Sequence, residues 1–141
     1  MLEIHYEDTE ILDLDPEFFV SWLSEVATRE NKELGELNLI FCSDDYLLQM
    51  NREHLDHDYY TDIITFDYVD GNVLSGDLFI SVDRVKDNAV SFNVEMKHEL
   101  LRVIVHGFLH LAGYGDKSES EEKEMRLKEN GYLEIVPRGT L

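Results

Sequence analysis

Apolar and polar residues alternate over Leu2–Tyr6 (LEIHY), the period of a strand with one face in a core. Past Asp15-Pro16 the period changes. Phe18, Phe19, Trp22, Leu23, Val26 and Ala27 recur at helical spacing, with Asp15 suited to the N-cap, Pro16 to the first turn and Gly35 as the expected stop. Residues 37–42 (LNLIFC) form an apolar run that reads as a buried strand, with Cys42 a small buried hydrophobe and not a ligand. Ser43 or Asp44 can cap a helix carrying Leu47, Leu48 and Met50, and the polar stretch 51–62 reads as a loop. Strands are expected over 63–68 and 73–82, joined across the hairpin signal Asp70-Gly71. A short helix follows from Asp83, then a long one over 95–112 with Gly113 as its C-cap. Residues 118–130 read as a charge-laced helix, opened by a capping box of Ser118 and Glu121 and stopped at Gly131, with Met125 and Leu127 as core residues. This order predicts an α/β (α+β) fold: one compact domain over 1–141, a small mixed sheet with helices packed on it.

Length and composition agree with that reading. A chain of 141 residues with 43% hydrophobic and 30% charged residues is globular and large enough for one core. No apolar run is long enough for a membrane span, and the acidic N-terminus has no basic region of a secretory signal. The single cysteine fits a reducing, cytoplasmic setting. Charge changes the picture more. The formal net charge is −19, and residues 1–70 hold 19 acidic against 3 basic side chains. Phosphate affinity rests on cationic side chains, so nonspecific nucleic-acid binding is disfavoured unless a local basic site or a metal cation supplies positive charge.

The segment that carries chemistry is His106-Gly107-Phe108-Leu109-His110, followed by Asp116. Four-residue spacing on a helix puts both imidazoles on one face, one turn apart, where they can share a transition-metal ion. The turn through Gly113-Tyr114-Gly115 can return Asp116 as a third ligand, leaving a coordination position open. The spacing equally describes two histidines with ordinary hydrogen bonds, and at this level both readings stand. Zinc peptidases of the HExxH type need a glutamate beside the first histidine; here that position is Gly107.

HGFLHLAGYGD resembles the signature HGxLHLxGYDH of the YbeY family of metal-dependent endoribonucleases, also called rRNA maturation factors, at His106, Gly107, Leu109, His110, Leu111, Gly113 and Tyr114. TDIITF from Thr61 resembles the family's TDVLSF strand, Asn51 its upstream asparagine, and GDLFI from Gly76 its next strand. The resemblance implies a zinc ion on the long helix of the C-terminal half, held by His106, His110 and Asp116, and an endoribonuclease specific for single strands. It further implies 16S rRNA 3′-end maturation, ribosome quality control, and ribosomal particles as partners.

Two departures bear on this. The family's third histidine aligns with Asp116, and two histidines with a carboxylate suit iron or manganese as well as zinc. Leu55 stands where the family often has an arginine; His57, two residues on, can replace it in part or be a solvated loop histidine, the second being favoured. No general base is assigned. A non-enzymatic assembly factor stapled by its metal, or a metallohydrolase acting on a peptide, are the alternatives. Asp62 can orient a ligand histidine or cap the turn into its strand, and Lys117 can meet phosphate or simply be solvated. Arg84, Lys86, Lys97 and Arg102 are candidates for a basic patch. The oligomeric state is not readable.

Overall fold

Asp15 caps the first helix as its side chain allows, accepting the Glu17 N–H at 3.0 Å, and Pro16 occupies the first turn. In the computed structural model, which describes residues 1–137, nine elements follow one another. They are β1 (Leu2–Tyr6), α1 (Pro16–Arg29), β2 (Glu33–Cys42), α2 (Asp44–Leu55), β3 (Ile63–Asp67), β4 (Val73–Ser81), α3 (Val82–Phe92), α4 (Met96–Leu111) and α5 (Glu119–Glu134). The sheet order is β1-β2-β4-β3, parallel except for the antiparallel β3–β4 hairpin. The fold is the expected α+β type.

Helices cover both faces. On one, the buried face of α1 and the length of α4 pack on Leu37, Leu39, Phe41, Leu74, Leu78 and Ile80. On the other, Leu47 of α2 joins Cys42 and Ile64, with Phe66 and Phe79 against them. Cys42 is fully buried, and burial pushes its thiol up to about 12.

Four boundaries differ from the sequence expectation. Helix α1 ends at Arg29, and the chain reverses at Asn31 with φ 60°. Gly35 instead lies inside β2, where the pairing with β4 slips between Leu34 and Leu37. Helix α2 takes in residues 51–55, so Asn51 is a buried helical residue. Helix α5 passes through Gly131 to Glu134. Its core residues are Met125, Glu129 and Tyr132, whereas Leu127 is 72% exposed.

Candidate metal centre

Helix α4 is buried on almost every side between the sheet and its neighbours α3 and α5. Arg102, His106 and His110, four residues apart, form a partly exposed line along it. The helix ends in a Schellman turn: Gly113, at φ 108°, donates to the His110 carbonyl and Tyr114 to that of Leu109. A side chain with a Cβ resists that φ, so glycine makes the reversal that brings the loop back over the histidine rings. Glu121 then fixes the loop, accepting from the backbone N–H groups of Ser118 and Lys117 at 3.0 and 3.3 Å. Asp116 sits in the loop so held.

Three acceptor atoms meet here. His106 Nε2 and His110 Nε2 are 3.0 Å apart, and Asp116 Oδ2 stands 3.2 and 3.3 Å from them. Each ring's other nitrogen is engaged. His110 Nδ1 donates to the Tyr114 carbonyl at 2.8 Å, and His106 Nδ1 to the Glu129 carboxylate at 2.7 Å. Those partners only accept, so they assign the proton to Nδ1 in both rings and turn two bare Nε2 lone pairs toward a carboxylate. Such a convergence repels itself without a cation. Ligands about 2.0–2.1 Å from a tetrahedral zinc lie roughly 3.3–3.4 Å from one another, close to the triangle found here. The donor set therefore fits a divalent metal ion, and His106, His110 and Asp116 are the group that could hold it.

Burial opposes protonation of His106, but the hydrogen bond and charge of Glu129, with Asp62 and Asp116, outweigh it and raise its pKa. Glu129 is itself only 5% exposed in its side chain; burial pushes its carboxyl up, and His106 and Arg102 bring it below the ordinary value. Arg102 donates to its other oxygen at 2.9 Å. Sequence reasoning missed Glu129. The available signal was a carboxylate in register with Met125 and Tyr132 on the buried face of α5.

Asp62 does not orient a ligand ring, since both Nδ1 atoms have other partners. Its backbone carbonyl accepts the Ser81 N–H at 2.9 Å, and burial raises the pKa of its carboxyl. The four candidate basic residues do not gather into a patch. Arg84 pairs with Asp44 at 2.6 Å, Lys86 pairs with Glu10, Arg102 pairs with Glu129, and Lys97 lines a separate hollow with Leu12 and Met96. Lys117 makes no ion pair among the described residues and faces a groove of about 550 Å³ that also reaches His106, His110, Asp116, Asn51, Leu55, His57 and Tyr59. A second groove, about 850 Å³, opens on the other side of His106 between α4 and α5.

The family model described as Endoribonuclease YbeY matches residues 3–136. The chain belongs to the YbeY endoribonuclease family. A YbeY endoribonuclease of Flavobacterium johnsoniae is 51% identical over 130 residues, 92% of this chain and 93% of the relative. One of Cytophaga hutchinsonii is 56% identical over 117 residues, 82% and 81% of the two chains. A Thermotoga maritima protein solved in solution superimposes with a TM-score of 0.66 at 30% identity, covering 96% of this chain and 89% of its own. Within the YbeY signature, Asp116 in place of the third histidine still reaches the histidine pair. Among the described residues, no helix is long and apolar enough to cross a membrane.

Proposed function

We propose that the chain is a metal-dependent endoribonuclease that hydrolyses phosphodiester bonds in single-stranded RNA. Its proposed setting is the cytoplasm, in 16S rRNA 3′-end maturation and ribosome quality control, with ribosomal particles as partners. The triangle of His106, His110 and Asp116 carries the reading, because three converging acceptors at 3.0–3.3 Å call for a cation. Those residues would hold it, zinc by preference, with iron or manganese also suited to the donor set. A divalent ion so held would supply polarisation of a phosphate oxygen and a more acidic bound water.

The chain's own residues do the rest. Glu129 and the Tyr114 carbonyl fix the two rings, and Asp116 adds a negative donor that keeps the centre from carrying excess charge. The groove that Lys117 lines is the proposed path of the RNA strand, and Lys117 is its one basic residue proposed to meet a phosphate oxygen. The names of the relatives support RNA as substrate. The rRNA assignment rests on the family resemblance.

One observation favours a second reading, a non-enzymatic assembly factor. The groove shows Asp62, Asp67 and Asp116 against Lys117, and Leu55 stands where the family often has an arginine. A peptide substrate is disfavoured by Gly107 beside His106. Single-turnover cleavage of a labelled single-stranded rRNA fragment separates these, using metal-stripped and zinc- or manganese-reloaded protein. Cutting that needs metal and is lost in both His110→Ala and Asp116→Ala supports the nuclease. Trace cutting unchanged in both variants overturns it and leaves the assembly role.

A further inference from the structure

The groove on the β3 side of the centre is lined by His57 and by Tyr59, whose ring the fold leaves 55% exposed. The Tyr59 ring stacks on the His57 imidazole at 5.2 Å with planes 23° apart, and the Tyr59 hydroxyl lies 3.0 Å from His57 Nδ1. This pair is anchored. Buried Asn51 donates from Nδ2 to the Tyr59 carbonyl at 2.9 Å and accepts the His57 N–H on its own carbonyl at 3.0 Å. Asp56, in the left-handed region at φ 53°, makes the reversal that lets His57 fold back on the end of α2.

Scattered surface aromatics are ordinary. This pair is different in place: it lines the same groove as His106, His110 and Asp116, with Leu55, 44% exposed, beside it. Charge then decides what such a groove can grip. On a chain of net charge −19, whose groove holds three aspartates and one lysine, phosphate contacts supply little affinity. Flat rings supply it by another route, since every nucleobase has a π-face and stacking tolerates any sequence.

We propose that the Tyr59–His57 pair is a stacking platform for an unpaired nucleobase of the RNA strand whose backbone crosses the metal centre. The proposal rests on the endoribonuclease reading. It assigns single-strand preference to these rings, because a base inside a duplex keeps its faces covered by its neighbours.

The test is a cycle between protein and substrate. Single-turnover cleavage by zinc-loaded protein is measured on a labelled oligoribonucleotide and on copies bearing one abasic site at successive positions. Tyr59→Ala is expected to raise the half-saturating protein concentration roughly ten- to a hundredfold, leaving the maximal rate within about threefold, while Tyr59→Phe stays close to wild type. At one position the abasic site should cost wild type a similar factor and cost Tyr59→Ala nothing further. Independent, multiplying losses at every position overturn the platform, as does a Tyr59→Phe as poor as Tyr59→Ala. Normal cleavage by Tyr59→Ala overturns it and leaves the nuclease standing. A metal-loaded wild type that neither binds nor cuts RNA overturns both.

Discussion

The Glu129 carboxylate accepts the His106 Nδ1 proton at 2.7 Å, and this bond joins α5 to the helix that displays both imidazoles. The glutamate thereby sets which nitrogen of His106 faces the centre and makes that nitrogen more basic. Partners of this kind change metal affinity by about 10–100-fold when removed. Glu129→Gln is accordingly expected to weaken zinc binding by about that factor in a chelator competition, and Arg102→Lys by less. Equal zinc affinity in wild type and Glu129→Gln would remove the assigned role.

Metal loading should be visible as stability. An ion bound by the folded state alone at a hundredfold excess over its Kd adds about 2.7 kcal/mol, which for a chain of this size raises Tm by roughly 8–10 °C. Differential scanning calorimetry with and without zinc measures it. The rise should shrink by at least half in Asp116→Ala.

Glu30, at the end of α1, accepts from Tyr114 at 2.6 Å, from Lys128 at 3.2 Å and from the Tyr132 hydroxyl. Burial pushes its carboxyl up, but these donors outweigh burial and hold it below its ordinary value of 4.5. A carboxyl depressed in the folded state binds its proton more weakly there than in the unfolded chain. Its stabilisation is complete above the unfolded pKa and is lost as pH falls through the lower folded value. Hydrogen bonds to a charged group are worth about 1.5–3 kcal/mol, so Glu30→Gln should cost roughly that at pH 7 by urea unfolding. At pH 3 the gap between variant and wild type should be smaller.

Two glycines separate cheap from costly crowding. A Cβ on Gly76 would lie 2.6 Å from the Phe66 carbonyl oxygen, a backbone atom of the paired strand. On Gly107 it would lie 2.6 Å from Ile63 Cδ1, the tip of a flexible side chain. Gly76→Ala should destabilise by roughly 2–3 kcal/mol. Gly107→Ala should stay within about 1 kcal/mol of wild type, helix propensity offsetting the contact. Equal losses on chemical denaturation would contradict this difference.

Periodicity exposed the elements of the fold because each buries one face or runs wholly through the core. The ends were harder to read. Asn31, not a glycine, adopts the positive φ that ends α1, and Gly35 serves a slipped strand pairing instead. The last turn of α2, after Asn51, is solvated on every side, so polarity there looked like loop. On α5 the apolar Leu127 faces water while the charged Glu129 is buried. That inversion makes sense only with His106 and Arg102 in view. The histidine pair and Asp116 were legible from a local spacing rule. Glu129 and Glu30 come from 23 and 84 positions away from the residues they hold, where no spacing rule reaches.

The tether from Glu30 to Tyr114 makes the centre depend on a distant part of the chain. Tyr114 offers its carbonyl to His110 while its hydroxyl is gripped from the first third of the chain. Ring alignment is thus a property of the finished tertiary structure: a fragment holding α4 alone would show both imidazoles with neither brace nor third arm. Capture of a cation there would report that the two ends of the polypeptide have met.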